Sequence, residues 1–157
     1  MTRFIDTLEL RAEDEVLLRR HGEEAYPEEA CGFLVGPTPT SGRRVVAEIV
    51  RAVNEKQDER THRFLVNPEQ FRKLEHDCES SGRSIVGIYH SHPDHPAEPS
   101  RFDLDHAWPW YAYVLVGVDR GRASAVNAFE LDPDGGGWQP RDIVIPTPSM
   151  EQRSTER

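Results

Sequence analysis

Residues 12–25, "AEDEVLLRRHGEEA", place acidic side chains in a first turn and Val16, Leu17 and basic residues later, an order that suits a helix and its dipole. Gly22 weakens the last turn of that helix. The period then changes. In "EACGFLVG" (29–36), Glu29, Cys31, Phe33 and Val35 alternate with Ala30, Gly32, Leu34 and Gly36, which predicts a strand ending at the turn "GPTPTSG". A second strand is expected in "RRVVAEIVRAV" (43–53), then a polar loop over 54–61 and a short strand at "HRFLV" (62–66). Asn67 as N-cap and Pro68 at the first helical position open a helix over 68–81, with Phe71, Leu74 and Cys78 on one face. After Gly82 the β-branched run "RSIVGIYHSH" (83–92) predicts a strand, as do 111–119 and 123–131; the Gly-rich turn 134–137 leads to a last short strand at "DIVI" (142–145). The expected architecture is α/β: a mixed, largely antiparallel sheet flanked by the two long helices. Residues 1–145 should form one domain, and 146–157, which lack periodicity, a disordered tail.

Composition narrows the class. A chain of 157 residues can bury roughly two thirds of its unfolded surface, enough for one core. The formal charge of -9, with no basic stripe to offset it, argues against nucleic acid and against an anionic membrane as partners. Solubility, or adaptation to a salty cytoplasm, accounts for the acidity. "MTRFIDTLEL" has no apolar leader core and no run of eighteen apolar residues occurs, so a cytoplasmic location is expected. Cys31 and Cys78 are too few for a disulfide framework or a thiolate cluster, and both should be free thiols.

Candidate chemistry concentrates in "HSHPDHPAEPSRFDLDH" (90–106). On a strand, Val86, Ile88, His90 and His92 share one parity, so both imidazoles point to the same side, and imidazole suits zinc. A pair of histidines at this spacing is also common in plain surface loops. Further on, Ser100 and Asp103 form Ser-x-x-Asp ahead of apolar residues, with Pro99 keeping the chain extended before them. On its own this is a helix start in which Asp103 binds backbone N–H groups. The same carboxylate could instead turn toward the strand end and supply a third ligand.

The spacing His-x-His, seven residues, Ser, two residues, Asp resembles the JAMM (MPN-plus) zinc metalloprotease motif, and "PEEACGFLVG" matches the Pro-x-Glu-x-Cys-Gly-x-Leu-x-Gly context around that family's catalytic glutamate. The resemblance covers most of residues 5–131 and implies a cytidine-deaminase-like fold. It further implies one Zn2+ per chain on His90, His92 and Asp103, Glu29 as general base, and Ser100 as the hydroxyl that stabilises the oxyanion. Strand parity puts Glu29 with Cys31 and Phe33 and sends Glu28 the other way; apart from the motif, a Glu among Glu23, Glu24 and Glu28 reads as a solvated charge. Cys31 reads as a packed thiol, and His95 and His106 as flanking residues outside the ligand set. The small bacterial members of the family imply a ubiquitin-like sulfur-carrier protein as substrate, cut after its C-terminal Gly-Gly. General deubiquitinase-like isopeptidase action and a non-catalytic MPN scaffold are the alternatives. "HSHPDH" also fits the metal loop of the metallo-β-lactamase fold, in which Asp94 and His95 would hold a second metal. That fold needs further ligands downstream, and no His follows His106.

Overall fold

The computed structural model describes residues 7–39, 42–53, 67–105, 107, 110–132 and 134–146. The strand expected at 62–66, the loop at 54–61, His106 and the tail beyond 146 fall outside them. In chain order the elements are β1 (Thr7–Glu9), α1 (Ala12–Ala25), β2 (Cys31–Pro37), β3 (Arg43–Val45), β4 (Glu48–Ala52), α2 (Pro68–Glu79), β5 (Arg83–Pro93), α3 (Arg101–Asp105), β6 (Ala112–Asp119), β7 (Arg122–Leu131) and β8 (Trp138–Val144).

The strands form one sheet in the order β3-β1-β8-β7-β6-β5-β2-β4, with antiparallel pairs except β1 to β3, β1 to β8 and β5 to β6. The expected mixed, largely antiparallel α/β sheet is present. One expectation is corrected: residues 43–53 are two strands at opposite ends of the sheet order, not one. The chain turns a corner at Val46 and Ala47, where Val46 N–H donates to Glu9 O and Ala47 N–H to Val35 O, both within 2.9 Å. The sheet therefore curls until its first and last strands are neighbours in sequence. At this seam Gly36 is obligatory, since a Cβ there would lie 1.8 Å from the Val45 carbonyl oxygen.

Two cores lie on the two faces. Leu18 of α1 packs with Leu34, Val86, Tyr89, Val114, Val116 and Val118, while Phe71, Leu74 and Cys78 of α2 pack with Phe33, Val35, Ile85, Ile88 and Tyr113. Each fully buried Leu, Val or Phe contributes about 1.5–3 kcal/mol relative to exposure, so both helices are held by their apolar stripes. Within α1 that stripe is Leu18 and Gly22; Val16 and Leu17 are exposed. Gly22, in place of being merely a weak point, lets the helix approach Val118 and Ser91, because a Cβ there would meet Val118 at 2.9 Å. Asn67 caps α2 as expected, its side chain accepting from the Glu69 and Gln70 N–H groups.

The parity read from the sequence of β5 holds for three of its four residues. Leu34 pairs with Gly87 but Val35 pairs with Ile85, leaving Val86 as the extra residue of a bulge. Val86 therefore faces α1, while Ile88, His90 and His92 keep the other side.

Candidate metal centre and its cleft

Strand β5 is buried along its last residues, and its pairing continues past Cys31↔His90 to Ala30, whose N–H donates to Ser91 Oγ at 2.8 Å and whose carbonyl accepts from Ser91 N–H at 3.0 Å. This places Glu29 opposite His92. After Pro93 the chain leaves the sheet through a loop tied down at Asp94 N–H to Val118 O (2.6 Å) and at Asn127 Nδ2 to Ala97 O (3.0 Å), and α3 then returns Asp103 to the strand end.

The three expected ligands meet. His90 Nε2 lies 3.0 Å from His92 Nε2 and 3.0 Å from Asp103 Oδ1, and His92 Nε2 lies 3.2 Å from Asp103 Oδ2. Tetrahedral zinc with bonds of 2.0–2.1 Å holds its ligands about 3.3 Å apart, so the trio fits such an ion with shifts of a few tenths of an ångström. Side-chain preparation agrees. His92 Nδ1–H donates to the Pro96 carbonyl at 2.8 Å, which leaves the Nε2 lone pair turned toward the other two ligands. Burial pushes the pKa of His90 below its ordinary value, partly opposed by Asp103, and so keeps the ring in the neutral form that binds metal. Burial alone would raise Asp103, but its contacts with His90 above all, then with His92 and the Ser100 N–H, hold its carboxyl well below the usual carboxylate range.

The two readings of Asp103 prove compatible. Ser100 N–H donates to Asp103 Oδ2 at 2.7 Å and Asp103 N–H to Ser100 Oγ at 3.1 Å, the reciprocal bonds of a capping box, while the same carboxylate faces both imidazoles. One side chain both starts α3 and completes the ligand trio. His90, His92, Asp103 and Glu29 are 0%, 6%, 8% and 5% exposed, in contrast to the exposed Glu28. Glu29, His92 and Ser100 line one cleft of about 280 Å³ together with His95, Pro96, Glu98 and Pro99. Cys31 is buried, in no disulfide, and pairs with His90 across the β2–β5 ladder, its Sγ reaching Ala52 O at 3.9 Å.

Asp94 belongs to a different task from the one a two-metal loop would give it. Its Oδ2 accepts from Tyr26 O–H at 2.7 Å and its Oδ1 from Arg120 N–H at 2.8 Å. His95 is exposed on the cleft wall. Among the described residues, the one cluster of metal-ligating side chains is His90, His92 and Asp103. Sequence reasoning missed Ser91, Pro96 and Asp94 as supports. The Ser between the two histidines and the residue after the His-Pro pair stood in plain view, but their partners Ala30 and Tyr26 lie 61 and 68 positions away, and Pro96 acts through its own backbone carbonyl, which accepts from His92.

The family described as prokaryotic homologs of the JAB domain matches residues 12–132. The chain belongs to this family. Its sheet and flanking helices are those of an MPN/JAMM-like fold. It is 35% identical over 100 residues to the desampylase of Haloferax volcanii, covering 63% of this chain and 68% of that one. It is 33% identical over 117 residues to a probable TtuB-protein conjugate cleaving protease of Thermus thermophilus, covering 74% and 70%. The solved structure of a protein from Salinibacter ruber matches with a TM-score of 0.69 at 38% identity, covering 92% of this chain and 94% of that one. Among the described residues no helix is long and apolar enough to cross a membrane.

Proposed function

We propose that this JAB-family protein is a zinc metallopeptidase that cuts the peptide or isopeptide bond after the C-terminal Gly-Gly of a ubiquitin-like protein, with a sulfur carrier as substrate. The observation that carries the reading is the buried Glu29 carboxylate sharing a cleft with His92, one member of the trio His90, His92 and Asp103. The names of the relatives from Haloferax and Thermus support the substrate class, the second describing a protease that cleaves protein conjugates.

His90, His92 and Asp103 would hold one zinc, which would supply Lewis acidity: a water with its pKa lowered to roughly 7 and a polarised carbonyl. Glu29 takes the proton from the attacking water and delivers it to the departing amine, a role open to a carboxylate at hydrogen-bond reach of both. Ser100 Oγ accepts the Asp103 N–H and so is fixed in place, with its own O–H available to donate to the carbonyl oxygen as charge builds there. His92, oriented by Pro96, and Asp103, oriented by Ser100, hold the ligand geometry without rearrangement.

The test is a Gly-Gly-terminated ubiquitin-like carrier fused to a short C-terminal peptide, incubated with zinc-loaded protein and read by mass spectrometry. Release of the carrier ending at Gly-Gly is expected, and Glu29→Gln should keep one zinc while slowing release by roughly 10²- to 10⁴-fold. Zinc-loaded wild type that binds the carrier and leaves it whole would make the protein a binding module. Full activity in Glu29→Gln would reassign the base.

A further inference from the structure

Glu29 does not stand on a regular element: α1 ends at Ala25 and β2 begins at Cys31. The five residues between them carry the one carboxylate on which the proposed proton transfer depends, and a displacement of about 1 Å at such a group is enough to cost a hundredfold in rate. Something must fix this segment. At its far end Ala30 is bonded in both directions to Ser91 of β5. At its near end the Tyr26 hydroxyl reaches 68 positions along the chain to donate to Asp94 Oδ2 at 2.7 Å.

Asp94 is suited to receive it. It sits at φ 58°, a left-handed conformation that Asp and Asn tolerate better than other side-chain-bearing residues. Its own N–H donates to Val118 O at 2.6 Å and its Oδ1 accepts Arg120 N–H at 2.8 Å, so it is fastened to the β6–β7 turn as well. It follows His92 by two residues. One exposed aspartate thus joins the end of the ligand strand, the β6–β7 turn and the segment that carries Glu29.

We propose that Asp94 and Tyr26 are positioning residues: their hydrogen bond, paired with the Ala30–Ser91 bonds, clamps the 26–30 segment and sets the Glu29 carboxylate against the metal ligands. The proposal rests on Glu29 as the proton carrier. A turn aspartate with a purely local role would explain the Arg120 bond and the positive φ, but not a bond to the segment of the catalytic carboxylate.

The decisive variant is Tyr26→Phe, which removes one hydroxyl and leaves the Arg120 and Val118 bonds of Asp94 intact. In metal-free protein, amide hydrogen exchange by NMR should accelerate roughly tenfold at Glu28 and Ala30, whose N–H groups bond to Ala25 O and Ser91 Oγ, and stay unchanged at Val114 and Leu115 of β6. In zinc-loaded protein acting on the carrier fusion, kcat should fall roughly 10- to 100-fold with KM and zinc content kept. Adding Tyr26→Phe to Glu29→Gln should slow that variant no further. Asp94→Asn, which can accept from Arg120 N–H and donate to the Tyr26 oxygen, should stay near wild type, while Asp94→Ala should not. Wild-type exchange at Glu28 and Ala30 in Tyr26→Phe, or full additivity with Glu29→Gln, would overturn the clamp. Should wild type leave the fusion uncut, the peptidase reading falls by itself, and the exchange measurement still decides the clamp.

Discussion

The two faces of β5 show how one strand separates scaffold from chemistry. Tyr89 and Ser91 turn toward α1. The Tyr89 ring lies against Gly32, its hydroxyl is 2.7 Å from His21 Nδ1, and Ser91 holds Ala30. Ile88, His90 and His92 turn the other way: Ile88 onto the α2 core, His90 buried against Asp103, and His92 at the wall of the cleft. On the first face every named polar group meets a neutral protein partner. On the second, two imidazole nitrogens and a carboxylate converge at 3.0–3.2 Å in a buried set whose donor atoms a single cation could satisfy together. Alternation along a strand therefore lets the anchoring residues and the ligands be neighbours in sequence while lying in different environments, and the two sets should fail differently.

The largest effect belongs to the ligand face. Asp103→Ala removes one of three protein ligands together with the cap of α3, and zinc content after dialysis against a weak chelator should drop to background with loss of peptidase activity. A variant that kept its zinc would mean that the trio is held for the fold and not for the metal.

Gly32→Ala attacks the scaffold face. The added Cβ would lie 2.4 and 2.5 Å from atoms of the buried Tyr89 ring, so one of the two must shift. A loss of about 1–3 kcal/mol is expected, the usual cost of overpacking, measured by urea denaturation, with one zinc per folded chain retained. Unchanged stability would show that Tyr89 is less firmly placed than its contacts indicate.

These two variants also mark what could be read from the chain. Helix α1, the Asn67-Pro68 start of α2 and the Ser100/Asp103 capping box are written in contiguous residues, and each is found where its local signal puts it. The ligand trio was legible through the resemblance of its spacing to a known motif; by themselves the residues left the His pair open between ligand and surface loop, and Asp103 between ligand and cap. Long-range pairing was not. The bulge at Val86 is invisible to a two-residue period, β1 is only three residues long, and the split of 43–53 depends on Glu9 and Val35, partners that no local pattern specifies. The glycines carried the least local signal. Gly22 resembles a weak helix end and Gly32 a poor strand residue until Val118 and Tyr89 are seen against them.

A pH titration of metal-free protein sharpens the contrast on a smaller scale. Burial, reinforced by Arg51, pushes His21 down to about 4 from an ordinary 6.5. The folded state thus disfavours protonation, so His21's contribution is fully present above about pH 6.5, declines as pH falls through the window to about 4, and changes no further below it. His90, also depressed by burial, adds to the slope in the same direction. Urea midpoints at pH 7.5, 6 and 5 should therefore fall, and His21→Gln should flatten the fall only in part. A slope identical to wild type would remove His21 from the account.

The smallest effect is expected at His95, and its smallness is informative. His95 stands three residues beyond His92 on the cleft wall, where a loop binding two metals would use it together with Asp94. Asp94, however, has its two carboxylate oxygens committed to Tyr26 and Arg120, and His95 is exposed, whereas the three ligands of the trio are buried. His95→Ala should therefore leave one zinc per chain, an unchanged zinc affinity, and stability within about 0.5 kcal/mol of wild type, as for other surface substitutions. Metal analysis across a zinc titration, run beside Asp103→Ala, measures this directly. Two metals per wild-type chain, or zinc lost from His95→Ala while Asp103→Ala retains it, would move the centre from the strand-and-helix trio to the loop and undo the separation of faces along β5.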